Sequence, residues 1–465
     1  MEPQEIKLSD FAPKMIAAID AIKSSYGSFS THPSLKADPN KVEAVLSELT
    51  NRLEDNFPFF HPHYAGQMLK PPHPVAMAAY LATMMLNPNN HSIDGGRATT
   101  MLEREVLRDM AKMFGYPEDF LGHLTWSGTT ANLEALWISR EINPDLALAH
   151  SKDSHYTHTR MAEVLNVPAI AIESDAAGRM DLNDLEAKLK TGQIGTVVAT
   201  LGTTGLGAVD PLAEIIPLAR QYGARVHVDT AYGGFFSLIP ESLEPETARH
   251  FAAIADSDSV VVDPHKHGLQ PYGCGAVFFR ERSIGRFYKH DSPYTYFASE
   301  DLHFGEIQLE CSRAGASAAA LWATLQVFPL TSDGLGAVLR ADRNAATSWH
   351  ALLQESDYLQ PLQAPELDIV TYFARMNTLE QIDHVSFELF QRSAAVERTE
   401  QIHLATYVMK HEGFAKRGFG IPADSDRESA RIMRSVLMKP EQETWIPDLH
   451  SHVEKVTREI IEENK

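Results

Sequence analysis

Short apolar runs alternate with amphipathic stretches through the middle of the chain. Residues 196–202 (TVVATLG) and 259–263 (SVVVD) show little polar alternation, which is typical of strands buried on both faces. Further runs of this kind are residues 168–174, 224–231 and 275–280. Residues 182–192 and 211–223, which lie between such runs, have apolar positions at helical spacing. The alternation predicts an α/β fold with a mostly parallel sheet covered by helices.

The ends of the chain follow other patterns. Residues 11–56 and 101–115 have helical spacing, and the apolar run 75–86 is too short to span a bilayer, so we predict that it is a buried helix. After a helix at about 313–327, we predict strands at 384–391 and 431–438 and a final helix from about 445. These patterns predict an N-terminal helical segment (1–85), a large domain (86–327) and a small C-terminal α+β domain (328–465).

Composition and charge narrow the class of protein. The net charge of -21 over 465 residues argues against nucleic acid or an anionic membrane as partner, because both would repel the chain. The two cysteines, Cys274 and Cys311, form no C-x-x-C pattern and cannot build a disulfide framework. The first residues are charged and lack an apolar core, so we expect no signal peptide. A cytoplasmic protein is predicted.

Two polar residues stand at predicted strand ends, where ligands bind in such sheets. Lys266 follows the apolar run that ends at Asp263-Pro264. A lysine in a water-poor site can act as a Schiff-base nucleophile, whereas a surface lysine would simply be solvated. Asp229 ends the run VHVD. Its carboxylate could hold the protonated ring nitrogen of pyridoxal phosphate, or it could be a strand-end cap or turn residue.

Three further segments could complete one site. Ser127, Gly128 and Thr129 open a predicted helix whose free N–H groups suit a phosphate, although the same residues are common in plain helix capping. Residues 202–210 (GTTGLGAVD) form a glycine- and threonine-rich turn after a strand, or an ordinary loop. In residues 151–165, His155 or His158 could stack on an aromatic ring, and either could instead be structural.

Other catalytic motifs are missing from the sequence. It contains no Walker motif, no G-x-G-x-x-G, no G-x-S-x-G and no H-E-x-x-H. His61 and His63 in HPHY have metal-like spacing but no evident carboxylate companions, so this stretch is interpreted as a turn. We therefore predict no metal site.

The segments VHVDTAYGG and DPHKHG, in this order, resemble the group II pyridoxal-phosphate-dependent amino acid decarboxylases, and the resemblance extends over about residues 57–440. It implies an aspartate-aminotransferase-like (fold type I) structure with a mostly parallel seven-stranded sheet, helices on both faces and a small C-terminal α+β domain. It also implies pyridoxal 5'-phosphate as cofactor. The implied activity converts an L-amino acid to the corresponding amine and carbon dioxide.

The resemblance assigns roles around the cofactor. Lys266 would carry it covalently, Asp229 would pair with its ring nitrogen, Ala231 would pack against the ring and His155 would stack on it. The phosphate would be held by Ser127, Gly128 and Thr129, with help from His265.

Three further residues acquire roles in the same way. Thr204 matches a threonine near the cofactor and the substrate carboxylate. Ser312 matches a serine that reaches the phosphate of the neighbouring subunit, which implies a homodimer with active sites at the subunit interface. Arg434 matches an arginine proposed to meet the α-carboxylate of the amino acid substrate.

Two departures leave the substrate and the reaction outcome open. His267 stands where aromatic amino acid decarboxylases usually have tryptophan. The segment 296–310 is short and contains no tyrosine beyond Tyr296, so His303 or a group elsewhere would have to act as proton donor. A carbon–carbon lyase or an amine-oxidising aldehyde synthase is therefore an alternative, and a non-catalytic protein that binds pyridoxal phosphate is a third.

Overall fold

The computed structural model describes residues 4–289, 307–422 and 427–463. Its helices are α1 (Leu8–Ser25), α2 (Pro39–Leu53), α3 (Pro74–Met84), α4 (Arg97–Met113), α5 (Gly128–Ile142), α6 (Thr157–Leu165), α7 (Leu182–Leu189), α8 (Leu212–Gln221), α9 (Pro245–Ala252), α10 (Gly285–Tyr288), α11 (Gly315–Val327), α12 (Leu335–Glu355), α13 (Leu379–Ala394), α14 (His411–Lys416) and α15 (Gln442–Glu463). Its strands are β1 (Leu121–Thr125), β2 (Ala147–Ser151), β3 (Ala169–Ile172), β4 (Ile194–Thr200), β5 (Arg225–Asp229), β6 (Ser259–Val262), β7 (Gly275–Phe279), β8 (Leu359–Pro361), β9 (Ile369–Ala374), β10 (Ala405–Lys410) and β11 (Ser429–Val436).

A seven-stranded sheet forms the centre of the molecule, in the order β1-β7-β6-β5-β4-β2-β3. The pairs β2–β3, β2–β4, β4–β5 and β5–β6 are parallel, and β7 runs antiparallel to both of its neighbours. Every residue of β4 and β6 is buried, as expected for strands covered on both faces. The predicted mostly parallel seven-stranded α/β fold is confirmed.

The register of the central strands brings their carboxyl ends to one level. Thr200, which ends β4, is paired with Asp229, which ends β5, and Asp229 is in turn paired with Val261 of β6. The chain leaves β6 at Asp263-Pro264, because proline cannot donate to a strand ladder. The turns that follow β4, β5 and β6 therefore meet at one edge of the sheet.

A second, antiparallel sheet has the order β10-β11-β9-β8. Helices α12, α13 and α15 pack around it, and their core includes the fully buried Trp349 and Tyr372. The prediction of a strand at 384–391 is wrong, because these residues lie in α13. The side chains of Ile382, Val385 and Leu389 are buried at helical spacing, whereas the short alternation VSFELF imitates a strand.

The N-terminal helices differ in burial. The run 75–86 was predicted as a buried helix, and α3 does bury Ala76, Ala78 and Ala82. Only Ile19 is buried in α1, and no side chain of α2 is buried. No helix in the described ranges combines the length and apolarity needed to cross a membrane. The division of the chain at residues 85 and 327 remains a prediction.

The helical assignment of residues 379–394 gives a test with two adjacent apolar side chains. Leu389 is 1% exposed and Phe390 is 39% exposed. We expect Leu389→Ala to lower the free energy of unfolding by about 2–5 kcal/mol, because it leaves a cavity in the core. Phe390→Ala should cost less than about 1 kcal/mol. Denaturant unfolding measures both, and equal losses would contradict the helical face assigned here.

Candidate active site

A cleft of about 200 Å³ opens where the carboxyl ends of β4, β5 and β6 face the start of α5. Most of the residues predicted for the site line it together: Ser127, Gly128, Thr129, His155, Thr204, Asp229, Ala231, His265 and Lys266. These residues come from five separate segments of the chain. Parallel strands bring them together because their carboxyl ends share one edge of the sheet.

Lys266 lies in the turn after β6, and its side chain is 21% exposed. Its Nζ is 3.2 Å from Oδ2 of Asp263, and its backbone N–H donates to the carbonyl of Asp263 at 2.9 Å. Asp263 is buried, and its Oδ1 has no hydrogen-bond partner among the described residues. The carboxylate therefore provides the counter-charge of the lysine ammonium and keeps the amine at the cleft.

Asp229 is buried at the end of β5. Its Oδ2 is 2.9 Å from Nε2 of His158, and its Oδ1 accepts from the backbone N–H of Ala231 at 3.0 Å. Burial alone would raise the pKa of this carboxyl, but the contact with His158, the amide of Ala231 and the charge of Lys266 together hold its pKa below the usual range. Asp229 thus presents an anion to the cleft.

The start of α5 allows an anion to approach the helix backbone closely. Ser127 is the N-cap, and its Oγ accepts from the backbone N–H of Thr130 at 3.3 Å. The first N–H groups of a helix have no partner within the helix and attract anions. A Cβ atom on Gly128 would lie 2.6 Å from Oδ2 of Asp263, so only glycine fits there. This end of the cleft suits a phosphate.

A buried histidine ties this helix to β5. His227 lies two residues before Asp229, and its Nε2 donates to Oδ1 of Asn132 at 2.9 Å. Asn132 in turn donates from Nδ2 to the carbonyl of Gly128 at 2.8 Å. Burial lowers the pKa of His227 to about 3, so the imidazole is neutral. The contact fixes the helix start relative to Asp229.

Two other histidines line the cleft. Nδ1 of His155 accepts from the backbone N–H of Thr157 at 3.3 Å and lies 2.6 Å from its hydroxyl. Nδ1 of His265 donates to the carbonyl of Cys274 at 2.7 Å, and its Nε2 is 3.5 Å from Oδ2 of Asp263. Burial lowers the pKa of both imidazoles. The hydrogen bonds at Nδ1 hold each ring in one orientation.

Two predicted site residues do not line this cleft. Ser312 is exposed, and its Oγ accepts from Nδ2 of Asn89 at 3.1 Å in a separate hollow beside Trp126. Arg434 is only 8% exposed and lies next to the Gly202–Asp210 turn. Its Nε donates to the carbonyl of Thr204 at 2.8 Å and its Nη1 to that of Gly66 at 3.3 Å. Arg434 therefore lies beside the cleft, whereas Ser312 does not.

A buried polar network behind Lys266 had no signal in the sequence. Nδ1 of His267 donates to the carbonyl of Tyr232 at 3.0 Å, and its Nε2 is 2.9 Å from Oδ2 of Asp368. The hydroxyl of Tyr232 donates to the other oxygen of Asp368. About a hundred residues separate His267 from Asp368, so no local spacing could predict this contact. The network joins the turn of Lys266 to the segment that enters β9.

Asp342 lies within the same network. Its carboxylate and the ligand atoms of His267 and Asp368 lie within 4.8 Å of one another, close enough to hold a metal ion. Nζ of Lys70, however, is 3.3 Å from Oδ2 of Asp342. Burial raises the pKa of Asp342 to about 6, although Lys70 opposes this shift. The ammonium supplies the positive charge that a metal ion would otherwise bring.

One predicted segment cannot be placed. The candidate proton donor His303 lies, like Tyr296, in residues 290–306, outside the described residues.

Comparison with known proteins places this geometry in context. Residues 29–372 match the family model described as the pyridoxal-dependent decarboxylase conserved domain. An L-tyrosine decarboxylase of Enterococcus faecium is 26% identical, with 83% of this chain and 81% of that protein covered. An L-aspartate decarboxylase of Thermococcus kodakarensis is 28% identical, with 79% and 92% covered. A crystal structure of Oryza sativa TDC with PLP and tryptamine superposes with a TM-score of 0.79 at 19% identity, covering 99% of this chain and 100% of that one.

Proposed function

We propose that Lys266 and Asp229 hold the pyridoxal 5'-phosphate of this chain, which belongs to the pyridoxal-dependent decarboxylase family. Membership of this family makes the chain a pyridoxal-phosphate-dependent amino acid decarboxylase, and it supports decarboxylation over the lyase, aldehyde synthase and non-catalytic alternatives. The observation that carries the proposal is the meeting of Lys266, Asp229 and the start of α5 in one cleft. When bound, the cofactor accepts the electron pair left behind as carbon dioxide departs.

The residues of the cleft fit this cofactor. The first amide groups of α5 and the side chains of Ser127 and Thr129 offer donors to a phosphate, and the close approach at Gly128 leaves no room for a larger residue. Asp229, an anion held by two donors, suits a protonated ring nitrogen. Ala231 and His155 line the space between these two ends and would flank the ring.

Asp263 and His265 support the amine and the phosphate. The carboxylate of Asp263 holds the free ammonium of Lys266 at 3.2 Å and so keeps the amine in reach of the reacting carbon. Nδ1 of His265 donates to the carbonyl of Cys274, so its Nε2 donates to a phosphate oxygen only in the imidazolium form. Both side chains act by holding charge close to the reacting group.

Arg434 is suited to bind the carboxylate of the amino acid substrate. Its guanidinium is buried, and within the described residues it is hydrogen-bonded only to the carbonyls of Thr204 and Gly66. A guanidinium has five N–H donors, and the carboxylate of Asp368 acts on Arg434 through its charge without a hydrogen bond. A substrate carboxylate beside Thr204 would supply a direct, charge-assisted partner.

The chain would work as a homodimer with active sites at the subunit interface. Helix α2 buries none of its side chains and exposes an apolar stripe of Val42, Val45, Leu46, Leu49 and Leu53. Contiguous apolar surface of this kind marks a protein interface. A second copy of the chain would cover this stripe. In such a dimer, the exposed Ser312 would reach the phosphate of the partner. The cytoplasmic location remains a prediction from the sequence.

The substrate is an L-amino acid whose side chain the geometry leaves open. The relatives named above act on tyrosine and on aspartate, which differ in both charge and size. A panel of amino acids is therefore needed to identify the substrate.

Assays of the purified protein against the twenty L-amino acids test the reaction. We expect carbon dioxide and the matching amine in equal amounts from at least one of them. Lys266→Ala should lower this turnover by about 10⁴-fold or more, because the covalent group is lost. Lys190→Ala, which removes a solvent-exposed lysine paired with Glu186, is the control. Aldehyde and peroxide without amine, or full activity of Lys266→Ala, would refute the proposal.

Arg434 and Arg431 lie on the same strand and form a matched pair. We expect Arg434→Gln to lower kcat/KM by about 30-fold or more, since a buried charge contact of about 2 kcal/mol is lost. Arg431 instead contacts Asp383 at 2.7 Å, so Arg431→Gln should leave kcat/KM unchanged while lowering stability. Equal kcat/KM values for the two variants would show that Arg434 does not meet the substrate.

Sedimentation of an α2 variant tests the dimer. Val45→Asp combined with Leu49→Asp places two charges on the apolar stripe, and we expect the dimer dissociation constant to rise by at least about 100-fold. Glu48→Gln, on the same helix, should leave the constant unchanged. A wild-type chain that sediments as a monomer at all concentrations would exclude the proposed assembly.

A further inference from the structure

Asp229 has a histidine partner, His158, to which the resemblance assigns no role. His158 lies in the first turn of α6 and is 1% exposed. Its Nε2 is 2.9 Å from Oδ2 of Asp229, while the amide of Ala231 holds the other carboxylate oxygen at 3.0 Å. The carboxylate is thus fixed from two sides by groups of the protein itself.

The surroundings of His158 determine where its proton lies. Nδ1 of His158 is buried and has no hydrogen-bond partner in the described part of the chain. A buried N–H without an acceptor is unfavourable, so this geometry favours the tautomer with its proton on Nε2. In that tautomer Nε2 donates to Asp229.

Three histidines and three charged groups lie around His158. The ring of His150, on β2, lies 6.1 Å from that of His158, and His227 lies on β5 beside Asp229. His155 lies two residues before the start of α6. Burial lowers the pKa of all three, so they add no charge. The charged groups near this cluster are Asp229, Asp263 and Lys266.

We propose that His158 is a positioning residue that presents Asp229 as an undivided anion to the ring nitrogen of pyridoxal 5'-phosphate. A neutral donor fixes the carboxylate without cancelling its charge. An imidazolium in the same place would form a neutral pair with Asp229 and compete with the ring nitrogen for it. The inference rests on the proposed function, because it assumes that Asp229 faces that nitrogen.

Neutron diffraction from the full-length deuterated protein tests the tautomer without any assay of activity. We expect nuclear density for deuterium on Nε2 of His158 and none on Nδ1. Deuterium on both nitrogens, or on Nδ1 alone, would overturn the inference. This measurement uses the wild-type chain, so it does not depend on whether a variant folds.

Cofactor binding tests the effect on Asp229. The protein is freed of cofactor and titrated with pyridoxal 5'-phosphate and with its analogue that has C–H in place of the ring nitrogen. We expect the wild type to prefer the natural cofactor by about tenfold or more. His158→Leu should reduce this preference by about threefold or more, and His158→Gln, whose amide can still donate, should retain it. His250→Leu removes an equally buried imidazole on α9 and should also retain it.

Asp229→Ala separates the two hypotheses. If Asp229→Ala abolishes the preference but His158→Leu leaves it at the wild-type value, the role of His158 is refuted and the proposed function stands. If Asp229→Ala leaves the preference unchanged, the proposed function itself fails. A loss of preference in both variants, with His158→Gln unaffected, supports the inference.

Discussion

An ionised carboxylate buried at the end of β5 is the constraint on which the rest of the site depends. Burying a charge is costly unless hydrogen bonds and a counter-charge compensate for it. At Asp229, the protein supplies two donors, from His158 and the amide of Ala231. The cationic ring nitrogen of the proposed cofactor would complete the compensation. The cleft is therefore arranged around a negative charge that the fold keeps in place.

The second sheet contributes to the cleft although most of the site residues lie on the first. Arg434 of β11 donates to the carbonyl of Thr204, and Asp368, just before β9, holds both His267 and Tyr232. Because His267 follows Lys266 directly, the docking of the two sheets fixes the turn that carries the lysine. Movement of one sheet relative to the other would change the position of Lys266 as well as that of Arg434 beside the cleft.

The sequence patterns predicted five strands of the first sheet, but not β1 or β2, and most of the cleft for a simple physical reason. Buried parallel strands are continuous apolar runs, and the polar residues at their carboxyl ends, such as Asp229 and Lys266, must meet at one edge. The prediction failed at residues 384–391, where a short alternation of apolar and polar positions fits a strand as well as a helix. The structure resolves the ambiguity, because Thr378 caps the start of α13 and the buried side chains follow helical spacing.

Contacts between distant segments were beyond the reach of local patterns. The partners His267 and Asp368 lie far apart in the chain, and Asp263 looked only like the end of a strand. His158 was considered as a ring-stacking residue, and nothing in its spacing from Asp229 showed that the two would bond. The roles of Ser312 and Arg434 came from the resemblance alone, and both depend on groups brought in by a partner subunit or a substrate.

The central claim is that the amine of Lys266 is the covalent attachment point of the cofactor opposite Asp229. Borohydride reduction of the purified protein, followed by digestion and mass spectrometry of its peptides, tests it most directly. The account predicts one added pyridoxyl phosphate group, on the peptide that contains Lys266. Attachment to another lysine, such as the buried Lys70 or Lys439, would contradict the account, as would a cofactor-loaded protein in which no lysine is labelled.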